Sequence, residues 1–232
     1  THLPKRRWVF LWKTMNKYFD IDLGDETPAS VFVKLRSLSP SFLLESIERG
    51  VDQSRYSFLG LGVSSVVEVN QRSFSFNGEK IASPESQDEM MQLFRGVLKD
   101  LPDLNPQIQS IPFSGGIVGF SSYDMVRYFE SLPVEESKGG LLNPPDCAYL
   151  APLSLLVFDH EDNSMALLHA GEEHDRNKLK ADILDLLKTE ISESTGQKCS
   201  YSQPTANVEE DVFNKAVEKA KHHIFEGDIF QI

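Results

Sequence analysis

Cysteine is scarce in this chain. Cys147 and Cys199 are the two present among 232 residues, and their spacing fits neither a metal knuckle nor a redox pair. Two reduced thiols in a cytoplasm is the reading that follows. Basic charge is short as well: 23 Lys and Arg face 35 Asp and Glu, a formal net charge of -12. Phosphate backbones are bound by clustered basic surface, so no nucleic-acid partner is expected. Long apolar runs are missing. Trp8-Val9-Phe10-Leu11-Trp12 follows the one basic cluster, Lys5-Arg6-Arg7, but Lys13 breaks it and no small-residue cleavage site comes after. It is not read as a secretory leader. Nothing approaches the roughly 20 apolar residues of a membrane span, and no membrane partner is expected. Catalytic signatures are absent too: there is no Gly-x-Ser-x-Gly elbow, no Cys beside a His and no Walker loop. His222 and His223 are adjacent, so on a helix they point about 100° apart and cannot share a metal as an i, i+4 pair could. His160, His169 and His174 lack ligand spacing. No catalytic and no metal-ligating residue is nominated.

What is present suffices for a globular core: 40% of the residues are hydrophobic and 25% charged. Thr27-Pro28 opens a short helix carrying Phe32 and Leu35, which ends before Ser39-Pro40. Ser41–Glu48 and Arg55–Leu61 read as strands. Val66–Val69 and Ser73–Phe76 form a meander continued by a tight turn at Asn77-Gly78. A helix follows from Ser83-Pro84-Glu85 to about Leu101, with Met90, Phe94, Val97 and Leu101 at helical spacing. Phe113–Phe120 reads as a glycine-rich strand, and Tyr123–Glu130 as a short helix or turn. Ala148–Phe158 and Met165–His169 read as two strands around Glu161-Asp162-Asn163, followed by a helix from about Asp175 to Glu193. Residues 195–207 have linker composition. A helix then opens at Glu209-Glu210-Asp211, with a broad stripe of Val212, Phe213, Ala216, Val217, Ala220 and Ile224, and stops at Gly227. Asp228–Ile232 begins a strand. That stripe has nothing downstream to cover, and burying each large side chain on it is worth about 1.5–3 kcal/mol. The 232 residues are therefore read as a piece of a longer protein.

One stretch departs from a plain core strand. Phe42-Leu43-Leu44 runs into Glu45-Ser46, and the next strand opens with Arg55. A carboxylate and a hydroxyl can hold an ammonium group or an indole N–H, and a guanidinium can hold a carboxylate in a bidentate fork. With Phe42 and Leu44 as apolar contacts, that set suits an amino acid. From spacing alone, polar residues on a sheet edge is the better alternative. Gly115-Gly116-x-x-Gly119 reads as close backbone packing rather than a phosphate cradle, and Asp124/Arg127 as a local ion pair.

Four phrases, in order, carry a family resemblance. They are Phe42-Leu43-Leu44-Glu45-Ser46-x-Glu48 with Ser54-Arg55-Tyr56-Ser57-Phe58-Leu59-Gly60; Gly115–Glu130; Leu156-Val157-Phe158-Asp159-His160; and Phe213–Gln231. Over roughly residues 25–232 the chain resembles anthranilate synthase component I. The resemblance implies that the full protein converts chorismate and ammonia to anthranilate and pyruvate, with Mg²⁺ on the substrate carboxylate and a glutamine amidotransferase subunit supplying the ammonia. It implies that L-tryptophan inhibits by binding near the Leu-Leu-Glu-Ser strand, touching Glu45 and Ser46, with Arg55 a further candidate. The catalytic and Mg²⁺-binding residues would lie beyond Ile232, and this piece alone would be inactive. Component I of aminodeoxychorismate synthase shares the phrases and stays open as an alternative, as does a non-catalytic small-molecule-binding or scaffold domain. The expected fold is α+β, with antiparallel β-sheets forming a sandwich and helices packed outside. Residues 1–206 would form the regulatory domain and 207–232 the start of the chorismate-binding domain.

Overall fold

The computed structural model describes residues 17–45, 55–130, 144–190 and 200–231. The chain falls into two compact units, Thr1–Ile191 and Ser192–Ile232. The first holds β1 (Ile21–Asp22), α1 (Pro28–Lys34), β2 (Pro40–Leu44), β3 (Tyr56–Leu61), β4 (Ser65–Asn70), β5 (Ser73–Phe76), β6 (Glu79–Ala82), α2 (Gln87–Asp100), β7 (Val118–Ser121), β8 (Cys147–Ala151), β9 (Ser154–Asp159), β10 (Ser164–His169) and α3 (Glu173–Leu187). The second holds α4 (Glu210–Glu226). Two five-stranded sheets, ordered β1-β10-β9-β3-β2 and β6-β5-β4-β8-β7, are antiparallel throughout. The α+β class expected from the sequence is the one adopted.

Local chemistry sets these elements. At the start of α1 the Ser30 amide donates to Thr27 Oγ1 at 3.1 Å and the Thr27 amide to Ser30 Oγ at 2.9 Å, a reciprocal cap with Pro28 in the first turn. Lys34 pairs with Glu26 and donates to the Leu187 carbonyl at 2.8 Å, tying α1 to the last turn of α3. The Asn77-Gly78 turn takes the positive φ that its residues allow, 51° and 82°.

The first sheet is buried on both faces. Leu59, Leu156, Phe158, Met165 and Leu167 meet Val31 of α1, Leu35 at its C-terminal cap and Ile183 of α3. On the other face Phe58, Leu155, Val157, Ala166 and Leu168 meet Phe19, Leu104, Ile108 and Ile111. Two-sided burial is why β9 and β10 read as unbroken apolar runs rather than alternating ones. The second sheet has its own core, Val67, Val69, Phe74 and Cys147 under Met90 and Val97 of α2. Each cluster takes its strand residues from one sheet only.

The structure corrects several expectations. The strand expected over Ala148–Phe158 is two strands in different sheets, β8 and β9. Pro152 has no N–H for a ladder, and the chain turns a corner there. Its neighbour turns the same corner between β3 and β4, where the Ser64 amide donates to the Ala151 carbonyl at 2.9 Å. The glycine-rich strand is confined to Val118–Ser121, because Gly115 and Gly116 take φ of 144° and 109° and cannot lie in a ladder. The second helix is capped by Ser86 rather than opened at Ser83. In the second unit, α4 ends at Gly227 in a left-handed cap (φ 81°), as expected. The described residues 228–231 form no strand, whose backbone groups need a paired neighbour.

Candidate functional site

Of the polar corner expected at Glu45, Ser46 and Arg55, Glu45 lies where β2 leaves the first sheet and Arg55 where β3 enters it. β2 is an edge strand, paired with β3 through Phe42↔Gly60, Leu43↔Leu59 and Leu44↔Phe58. Phe42 packs with the Phe58 face and Leu43 with the α1/α3 face. Leu44 is 41% exposed, unusual for a leucine in a strand, and Glu45, the first residue past the strand, is exposed beside it. Ser46 lies outside the described residues.

Arg55 sits at the mouth of β3 with its fork engaged. Nε donates to Asp159 Oδ1 at 2.9 Å and Nη2 to Asp159 Oδ2 at 2.6 Å. Nη1 reaches Glu161 at 2.9 Å, and Nη2 lies 3.5 Å from Asp162. The reason is topological: β3 and β9 run antiparallel with Tyr56 opposite Asp159, so the start of one strand meets the end of the other. The Asp159 side chain is 2% exposed and that of Arg55 43%. Burial pushes the Asp159 carboxyl up, but hydrogen bonds from Arg55 and from the Glu161 amide outweigh it and hold the group below its ordinary value. The same pairing raises the Arg55 guanidinium above its usual range. The fork expected to hold a ligand carboxylate thus holds one from the chain itself. Among the described residues no hydrogen bond or ion pair joins Glu45 to Arg55.

Next to this pair, Ser57 Oγ lies 2.7 Å from His160 Nε2, and the His160 amide donates to the Arg55 carbonyl at 2.9 Å. The Tyr56 ring lies under the Arg55 guanidinium (5.2 Å) and stacks at a tilt near Phe19 and Phe58. The corner is therefore a rigid β3–β9 frame beside a short edge strand that presents Leu44 and Glu45. Such a frame can hold a small polar ligand; it contains no activated nucleophile. Asp159 and His160 could be read in the sequence, but their role could not, because only the antiparallel pairing brings them to Arg55 and Ser57.

Other polar groups fall to structure. Asp124 and Arg127 make the local ion pair expected of them, at 2.8 Å. Gly119 is where two strands approach closely: an added Cβ would overlap the Ala148 carbonyl oxygen and sit 2.7 Å from Tyr149 Cα. Cys147 is buried, and burial pushes its thiol up to about 11, away from reactivity. Buried His169 bonds Ser154 through Nδ1 at 2.8 Å. Among the described residues no group of three or more His, Cys, Asp or Glu is placed to hold a metal ion. No helix among them is long and apolar enough to cross a membrane.

A family model described as chorismate binding enzyme matches residues 42–232. Anthranilate synthase component 1 of Thermus thermophilus is 34% identical over 222 residues, covering 93% of this chain and 45% of that protein. The protein of the same name from Acetivibrio thermocellus is 30% identical over 236 residues, covering 94% and 46%. The crystal structure of anthranilate synthase component I from Streptococcus pneumoniae TIGR4 shares the fold with a TM-score of 0.54 and 21% identity, over 90% of this chain and 46% of that one. The chain spans about half the length of the relatives it matches.

Proposed function

The chain belongs to the chorismate binding enzyme family, and from that premise we propose that it is the N-terminal, feedback-regulatory part of an anthranilate synthase component I. The full-length protein converts chorismate and ammonia to anthranilate and pyruvate in tryptophan biosynthesis, as a cytoplasmic enzyme. A glutamine amidotransferase subunit supplies the ammonia, and Mg²⁺ is bound by the rest of the protein. The observation that carries this reading is the match, over more than nine-tenths of the chain, to relatives named anthranilate synthase component 1. A bacterium lacking its own anthranilate synthase component I provides a test. Expressing the full-length protein there should restore growth without tryptophan. Rescue of a 4-aminobenzoate requirement instead would move the reading to the aminodeoxychorismate enzyme.

L-Tryptophan is the proposed effector, touching Glu45, just past the end of β2, and Ser46. Arg55 contributes by fixing the frame, since its fork is held by Asp159. An effector acts only through differential affinity for two states of the protein. Ser46→Phe places a ring where a hydroxyl is needed. It should raise the tryptophan concentration for half-inhibition of the full-length enzyme by roughly tenfold or more, inside the usual range of coupling free energies. A titration curve superimposable on the parent's would remove Ser46 from the site.

A further inference from the structure

The pairing of β2 with β3 contains one irregularity. Pro40 pairs with Leu61 and Phe42 with Gly60, so Ser41 is an extra residue bulged out of β2. A bulge sets two residues against one on the partner strand. Here the single partner is Gly60, and both residues crowd the space its side chain would take. A Cβ built there would run into Cε1 of the Phe42 ring, with Phe42 Cδ1 and Ser41 Oγ each at 2.7 Å. Ser41 Oγ is buried and has no hydrogen-bond partner among the described residues. Such a group costs free energy and persists only where packing holds it. Gly60 lies inside an otherwise regular strand, with β9 on its other side through Gly60↔Leu155, so a positive φ does not explain the glycine.

The consequence falls on the far end of β2. Side chains alternate along a strand, so one residue of register exchanges the two faces. With the bulge, Leu43 faces the α1/α3 core and Phe42 the opposite cluster, so alternation puts Leu44, the last strand residue before Glu45, on the Phe42 side. Continuing the Pro40↔Leu61 pairing without a bulge would pair Phe42 with Leu59, exchange the two faces along β2 and turn over the end from which Glu45 leaves.

We propose that Gly60 is a positioning residue for the effector site: its missing side chain admits the Ser41 bulge and so decides how the end of β2 presents Glu45 to tryptophan. The inference rests on the effector reading above, and the experiment separates the two. Tryptophan titrations are run on the full-length enzyme with chorismate and ammonia, reading anthranilate formation. Gly60→Val keeps strand propensity while filling the space. It should raise half-inhibition by roughly tenfold or more, with kcat and KM for chorismate within about twofold of the parent. Gly60→Ala fills less of the space and should raise half-inhibition by about threefold. If Gly60→Val fails to fold, Gly60→Ala is read in its place. Parent-like inhibition in Gly60→Val, or in Gly60→Ala where that is the variant read, overturns the proposal. Glu45→Ala is the control on the underlying reading. Parent-like inhibition there removes the effector site itself, whereas an insensitive Glu45→Ala beside a sensitive Gly60→Val removes only the role of Gly60.

Discussion

Arg55→Ala should lower the stability of the chain by about 2 kcal/mol at neutral pH, read as a lower urea midpoint with an unchanged slope. Asp159 is 1% exposed and takes both oxygens of its charge compensation from Arg55. Removing one member of a fully buried pair costs about 3–5 kcal/mol, because the other charge stays buried without its partner. Arg55 is 43% exposed on its side chain, so water screens part of the pairing and the smaller figure applies. The residual bond from the Glu161 amide to Asp159 Oδ1, 3.1 Å, keeps the loss from being larger. The pH dependence has a definite sign. The folded-state value of Asp159 is depressed, so its contribution is complete above the unfolded value of about 3.9 and fades as the pH falls through the lower folded one. The midpoints of parent and variant should therefore differ most at neutral pH and converge in acid. A constant gap down to pH 2 would show that the loss comes from packing of the arginine stem.

Gly119→Ala should cost about 3 kcal/mol and release β7 from the second sheet. The new methyl would overlap the Ala148 carbonyl oxygen, a backbone atom of β8. β8 cannot retreat, because it is held on its other side by β4 from Ser65↔Ala151 to Val69↔Cys147. β7 is the edge strand and is the one that yields, taking with it the Ser121–Tyr149 hydroxyl bond of 2.7 Å. Amide exchange should show lost protection at Val118–Ser121 with β9 and β10 unaffected, since local openings follow cooperative units. Full protection of β7 in the variant would mean that the two strands can part further than their geometry indicates.

Much of the fold was readable from local signals. Thr27-Pro28, Asn77-Gly78 and Gly227 act within a few residues of themselves, and each is found in the role its chemistry dictates. What depended on distant pairing was not readable. The run from Ala148 to Phe158 is apolar throughout, and only the sheet partners reveal that it serves two sheets. At the candidate site, the sequence named Glu45, Ser46 and Arg55 but not the pairing that engages Arg55. Glu45 lies exposed at the end of β2, and Ser46 lies outside the described residues. Arg55 offered an obvious fork, but its partner sits on another strand, far along the chain, and nothing near Arg55 announces it. Gly60 falls inside β3, where no turn or positive φ calls for a glycine. Its neighbours Ser41 and Phe42 give it meaning only once the bulge is seen.

The role proposed for this corner is regulation of a chorismate-to-anthranilate reaction in the full-length protein. The most direct measurement is a fluorescence time course of the full-length enzyme with chorismate, ammonia and Mg²⁺, recorded with and without L-tryptophan. The expected result is anthranilate, formed at a rate that tryptophan suppresses. A 4-amino product, or anthranilate formed at the same rate at saturating tryptophan, would contradict it.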